Sequence, residues 1–195
     1  MMAARQLRVL GLSGSLRTRS YNAALLRGAR ELCPVGTTVE VFDELGTLPL
    51  YDEDLDDDPL PSAVAHLRSR IEAADGVLLV TPEHNASVPA ALKNALDWAS
   101  RPTGAAALTG KPVAIAGASP GALGTVRAQI ALRQVLSAID AKVLARPEVL
   151  VFRCHERISP DGTITDIATE NLLRELLMGL SRQIRAQHDS GMLTA

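Results

Sequence analysis

Apolar residues recur along this chain in two alternating rhythms. Short runs at residues 6–12, 37–42, 76–81, 111–116 and 142–152 are continuous or alternate in polarity, the pattern of β-strands. Between them, residues 21–33 (Leu25, Leu26, Ala29, Leu32), 60–74 (Val64, Leu67, Ile71), 89–98 and 125–139 carry apolar side chains at helical spacing. A last stripe, Leu173, Leu176, Leu177, Leu180 and Ile184, follows Asp166, which is placed to cap a final helix. Arg146 and Pro147 stand inside the fifth strand as potential interruptions, and 188–195 is expected to fray.

Strand and helix in alternation predict an α/β fold built from parallel βαβ units. With 195 residues and no linker, repeat or low-complexity tract, the expectation is a single domain over 1–195. The predicted architecture is a three-layer sandwich, a five-stranded parallel sheet of order 2-1-3-4-5 with helices on both faces. In that order three loops, Gly11 to Asn22, Thr81 to Val88 and Gly117 to Gly124, follow strands of one sheet and share one edge, where open α/β sheets bind ligands.

The first loop, Gly-Leu-Ser-Gly-Ser-Leu-Arg-Thr-Arg-Ser-Tyr-Asn, is rich in hydroxyls and opens a helix. A strand, a turn and a helix bring free backbone N–H groups and the positive end of the helix dipole together, which suits a phosphate. Ser13, Ser15 and Ser20 add hydroxyl donors and Arg17 a planar cation. Ser13 stands at the third position of the Gly-x-Gly-x-x-Gly dinucleotide fingerprint, and the Gly-Lys-Ser/Thr ending of the P-loop is absent. A hydroxyl-lined first loop suggests instead the terminal phosphate of FMN; an ordinary turn, with Ser20 as helix N-cap, is the alternative.

In the second loop Pro82 halts the strand and Pro89 opens the next helix, leaving Glu83, His84 and Asn85 above a central strand. Trp98 on that helix reads as core or interface packing. The connection from Asp43 to Asp58 carries eight carboxylates and no basic residue. It lacks a calcium-loop register and reads as a solvated loop anchored by Leu48, Pro49, Leu50 and Tyr51.

Composition narrows the field of functions. A net charge of −2 and 3% aromatic residues argue against nucleic acid as a partner. Cys33 and Cys154 form no pair or cluster, so neither disulfide nor metal site is expected. The apolar run after Arg5 and Arg8 is too short for a signal segment or membrane span, and a soluble, cytoplasmic protein is expected.

Gly-Ser-Leu-Arg-x-x-Ser-x-Asn (Gly14 to Asn22) and Thr-Pro-Glu-His-Asn-x-Ser-x-Pro-x-x-Leu-Lys-Asn-Ala-x-Asp-Trp (Thr81 to Trp98) together resemble the NAD(P)H-dependent FMN reductases, flavodoxin-like enzymes that include quinone, chromate and azo-dye reductases. The resemblance runs from about Leu7 to about Phe152. It implies that Ser13, Ser15, Leu16, Arg17, Ser20, Tyr21 and Asn22 hold FMN at its phosphate end. Pro82, Glu83, His84 and Asn85 would line the isoalloxazine, largely through backbone groups, with Ser119 beside it. His84 stands where the family usually has Tyr, and the third loop is poorer in glycine than usual. The implied reaction passes hydride from NADPH or NADH through FMN to a small-molecule acceptor in a ping-pong cycle, with no side chain required as acid or base.

Two other functions remain open from the residues. A flavodoxin-like carrier would shuttle electrons without turnover of its own. A serine hydrolase is suggested by Gly117-Ala-Ser119-Pro-Gly121, a nucleophile-elbow pattern, although Pro120 lacks the N–H its oxyanion hole requires. The apolar surplus of the Ala90 to Trp98 helix, with the resemblance, predicts a homodimer or homotetramer.

Overall fold

In the computed structural model, which describes residues 5–192, one six-stranded parallel sheet carries helices on both faces. The strands are β1 (Leu7–Ser13), β2 (Thr37–Phe42), β3 (Gly76–Val80), β4 (Pro112–Ala118), β5 (Lys142–Val143) and β6 (Val149–Val151). The helices are α1 (Tyr21–Glu31), α2 (Ser62–Ala73), α3 (Ala90–Ala99), α4 (Val126–Ala138) and α5 (Ile167–Met192). Strand order is β2-β1-β3-β4-β5, with β6 also paired to β4. This is the flavodoxin-like arrangement expected.

The alternation within each strand sorts the core into two layers, because successive side chains point to opposite faces. Leu10, Leu12, Val77, Leu79, Val113 and Ile115 pack under α2, α3 and α4. Leu7, Val9, Leu78, Val80, Ala114 and Ala116 pack under α1 and α5. Both faces are covered, so β3 and β4 are apolar throughout and fully buried.

Four expectations change. The fifth strand is two short segments, β5 on Pro112 and Val113 and β6 on Ala116 to Ala118. Between them Pro147 offers no N–H to a ladder, and the Leu144 carbonyl bonds Arg133 Nη1 at 3.0 Å. The C-terminal helix continues through 188–192 rather than fraying. Gln183 and Gln187 donate to the carbonyls of Lys142 and Gly110, and His188 Nε2 lies 3.5 Å from Asp75; 193–195 lie outside the described residues.

The acidic connection is only partly solvated. It folds into two single 3-10 turns, and Asp56 reaches inward to Arg68 Nη2 at 2.6 Å while Arg68 Nε donates to the Trp98 carbonyl. The apolar surplus of α3 is consumed inside the chain. Leu92, Ala95, Leu96, Trp98 and Ala99 are all buried, and the Trp98 ring meets Tyr51 edge-on at 4.9 Å and donates Nε1–H to the Pro49 carbonyl. That helix therefore supplies no argument for association. Large exposed apolar side chains are spread over the surface instead: Leu16, Val35, Leu50, Leu55 and Leu123 in connections, Phe152 just past β6, Ile130 on α4, and Ile167, Leu172 and Met178 on α5.

Candidate active site at the carboxyl edge of the sheet

β1, β3 and β4 lie side by side, so the loops that follow them meet at one end of the sheet. Gly14 starts the first loop with its N–H on the Val80 carbonyl at 2.9 Å. A Cβ at Gly14 would stand 2.9 Å from Pro89 Cγ and 3.2 Å from Leu92, so only glycine lets this loop pass the start of α3. Beyond it Ser13 and Ser15 are half-buried, while Leu16 and Arg17 are exposed. The backbone N–H groups of Leu16, Thr18 and Arg19 find no acceptor among the described residues, and Arg17 meets no carboxylate there. With the first-turn amides of α1 that Ser20 does not cap, these are donors of the kind a phosphate takes.

Ser20 and Asn22 are used differently. Ser20 caps α1, its Oγ accepting from Ala23 N–H at 3.2 Å. Asn22, 4% exposed, sends its amide across to β4, donating Nδ2 to the Ala118 carbonyl and accepting the Ala118 N–H, each at 2.9 Å. An amide bonded to backbone at both its nitrogen and its oxygen is a brace between the first and third loops. Tyr21 is half-buried and lines a shallow cleft beside His155 and Ile158.

The second loop is a tight hairpin. His84 and Ser87 exchange both backbone hydrogen bonds, at 3.1 and 2.9 Å, around Asn85 (φ 49°) and Ala86 (φ 63°). Positive φ at both central positions is the type I′ geometry. It leaves the N–H groups of Glu83, Asn85 and Ala86 without acceptors among the described residues, whereas those of His84 are spent. The His84 and Asn85 side chains are exposed and Pro82 is half-buried.

Glu83 turns away from this edge toward α4. Its carboxylate accepts the N–H groups of Arg127 at 3.0 Å and Ala128 at 3.3 Å and pairs with the Arg127 guanidinium, Nε at 2.6 Å. An anion on first-turn amides complements the helix dipole, and it ties the second loop to the helix that ends the third. Sequence reading assigned Glu83 by motif alone; its spacing from Arg127 carried no signal, because 44 residues separate them.

In the third loop a Cβ at Gly117 would lie 2.5 Å from the Thr81 carbonyl and overlap the Thr125 hydroxyl. Thr125 itself is buried with φ 73°, and Gln129 donates to its Oγ1 at 3.2 Å. Ser119 stands half-buried between these elements, its Oγ accepting Gly121 N–H at 3.1 Å. No imidazole or other base bonds that hydroxyl among the described residues, which removes the geometric basis for a serine nucleophile.

A cavity of about 560 Å³ adjoins the first loop on its β2 side. Ser13, Ser15 and Arg17 border it together with Arg27 and Arg30 of α1 and Asp43 at the end of β2. Arg27 and Arg30 stand three residues apart on the helix after this loop. No group of metal-ligating side chains exists among the described residues. No helix among them is long and apolar enough to cross a membrane.

Residues 7–156 match the sequence model of a family described as NADPH-dependent FMN reductase. An NAD(P)H-dependent FMN reductase of Pseudomonas aeruginosa is 44% identical over 179 residues, 92% of this chain and 96% of that protein. A 2-hydroxy-1,4-benzoquinone reductase of a Burkholderia species is 40% identical over 171 residues, 88% and 92% of the two chains. Among solved structures, the flavoenzyme NAD(P)H:acceptor oxidoreductase FerB of Paracoccus denitrificans superposes with a TM-score of 0.83 at 35% identity, covering 92% of this chain and 98% of that one.

Proposed function

The chain belongs to the NADPH-dependent FMN reductase family, and from that premise we propose that it transfers hydride from NADPH or NADH through FMN to quinones, free flavin or similar small acceptors in a ping-pong cycle. The enzyme is an oxidoreductase, and its quinone acceptors are inferred from the relative named a benzoquinone reductase.

The residues present suit the cofactor. The first loop offers amides without acceptors among the described residues, the hydroxyls of Ser13 and Ser15 and a guanidinium that meets no carboxylate among them, while Gly14 and Gly117 let the first loop pass Pro89 and Leu92 and β4 pass Thr81 and Thr125. Ser13, Ser15 and Arg17 are the side chains that would hold the phosphate, with the hydroxyl hydrogen of Ser20 free to join them. Pro82, Asn85 and Ser119, with the amides of Glu83, Asn85 and Ala86, border the ring. Glu83 and Asn22 position these loops rather than touching the ring. When bound, FMN supplies the hydride-accepting and electron-donating chemistry, and the protein orients it.

The observation that carries this reading is the convergence of three loops, held together by Asn22 and Glu83, on one sheet edge with phosphate-type donors at one end. The exposed hairpin and the few aromatic side chains leave little with which to grip one acceptor, so acceptor range should be broad. We also propose self-association through the apolar side chains exposed on α4 and α5.

Initial rates at several NADPH concentrations test the cycle. Parallel double-reciprocal lines with several quinones and free flavin are expected. Intersecting lines would mean a ternary complex, and NADPH oxidation absent with every acceptor would leave only an electron carrier.

A further inference from the structure

We propose that Thr125, just past the third loop, is a positioning residue for the flavin: it leaves the cap of α4 to Glu83, and α4 thereby holds the second loop over the edge of the sheet. The proposal rests on the FMN reading above, because the hairpin it positions is the one assigned to the ring.

A threonine ahead of a helix ordinarily keeps an extended backbone, and its hydroxyl accepts the N–H of the second or third helical residue. Thr125 does neither. Its φ and ψ are 73° and 21°, a left-handed conformation that a β-branched residue disfavours, and its side chain makes no cap bond. The hydroxyl turns inward instead, into the space that the missing Cβ of Gly117 leaves. There Gln129 Nε2 donates to it at 3.2 Å and to the Val149 carbonyl at 3.0 Å, while Gln129 Oε1 is buried with no hydrogen-bond partner among the described residues. A left-handed threonine, 1% exposed, beside an unsatisfied amide oxygen is an arrangement imposed by its surroundings.

The first amides of α4 show what that arrangement achieves. Val126 N–H bonds the Leu123 carbonyl, and Gln129 N–H bonds the Thr125 carbonyl. The two between them, those of Arg127 and Ala128, are the pair a threonine cap would serve, and both go to Glu83 Oε2, at 3.0 and 3.3 Å. Two side chains therefore compete for one cap. With Thr125 left-handed, α4 is capped from the second loop and fixes the backbone from Pro82 to Ala86. With Thr125 extended, α4 would cap itself, and only the ion pair with the exposed Arg127 guanidinium would still tie Glu83 to the helix.

Two double-mutant cycles test this. In urea unfolding of the apoprotein, Glu83→Ala should lower the midpoint only slightly, because Thr125 then caps α4. In a Thr125→Ala background no cap remains, and the same change should lower it further; additive losses would overturn the proposal. In fluorescence titration of FMN, Thr125→Ala should bind at least as tightly as wild type, since Glu83 is then the sole cap. Thr125→Asp, whose carboxylate caps more strongly and repels Glu83, should bind at least about fivefold more weakly, the worth of one cap. That loss should disappear in the Glu83→Ala background, because it acts through Glu83. A loss that persists without Glu83, or one as large in Thr125→Ala, would mean that the residue only packs, and would overturn the proposal. Thr125→Ser, a neutral and better cap, replaces the aspartate if that variant does not fold, with a smaller loss of the same sign. A wild type that binds no FMN would defeat the functional reading and the positioning role with it, while the urea cycle would still establish or refute the exchange of caps.

Discussion

Asn22 and Ala118 exchange two hydrogen bonds of 2.9 Å across 96 positions of sequence, the side chain of one closing on both backbone groups of the other. The pair sits where β4 ends and α1 begins, so the first and third loops cannot separate without breaking it. Replacing Asn22 by Leu keeps the volume and strands the N–H and C=O of Ala118 away from water. Each stranded group costs about 1–3 kcal/mol, and urea unfolding of the apoprotein should show a loss in that range or above. A loss below about 0.5 kcal/mol would mean that water replaces the amide.

Arg17 is the opposite case, a residue with no partner to lose. Arg17→Ala should leave the unfolding midpoint of the apoprotein unchanged while FMN affinity falls roughly 10- to 150-fold, the range for a charge-assisted bond. Fluorescence titration of FMN decides it, and an unchanged dissociation constant would take Arg17 out of the site.

The acidic connection is tied inward by the Asp56–Arg68 ion pair. Arg68 and Asp56 side chains are 10% and 14% exposed, so Asp56→Ala leaves a cation with little access to water. Losing one partner of such a pair typically costs about 3–5 kcal/mol. The double replacement Asp56→Leu/Arg68→Met should recover most of that loss in thermal melts, because no charge then remains buried.

Asp166 gives stability a pH dependence. Hydrogen bonds from Thr169 Oγ1 and N–H and from Arg157 Nη1 all favour its ionised form and hold its carboxyl below the usual range. A depressed folded value means that the stabilisation is complete above about pH 4, the ordinary aspartate value, and fades as pH falls through the lower folded one. Asp166→Ala should therefore cost about 1 kcal/mol at pH 7. The gap to wild type, followed by denaturant unfolding, should close only in acid below about pH 4; a gap closing near neutrality would point to another group.

Neither cysteine should react readily in the native state. Cys154 is fully buried and burial pushes its thiol up to about 11, while Cys33 is half-buried, donates to the Ala29 carbonyl and is likewise raised. With an aromatic disulfide reagent near pH 8 at most one thiol, Cys33, should titrate before unfolding and both afterwards. Two fast thiols in the folded protein would contradict the packing around Cys154.

Local patterning determined the alternation of strand and helix, apart from the split in the fifth strand, and the position of the three loops after β1, β3 and β4; strand order was legible only by analogy with doubly wound folds, because the same alternation builds other orders. The alternation and the loop positions depend on the spacing of apolar side chains and on the right-handed parallel crossover, both of which act over short stretches of chain. Ser20 as an N-cap was equally legible, since a cap bonds its own helix three residues on. Tertiary structure decided what Asn22, Glu83, Asp56 and α3 do. Asn22 and Glu83 sit in motifs but reach partners 96 and 44 residues away, and no local rule chooses between a ligand and a distant backbone group. Asp56 looked like its solvated neighbours until folding put Arg68 beside it, and the surplus on α3 was covered by Tyr51 and α2. Contacts of that kind depend on where the chain returns, which is set by the packing of the whole and not by any segment of it.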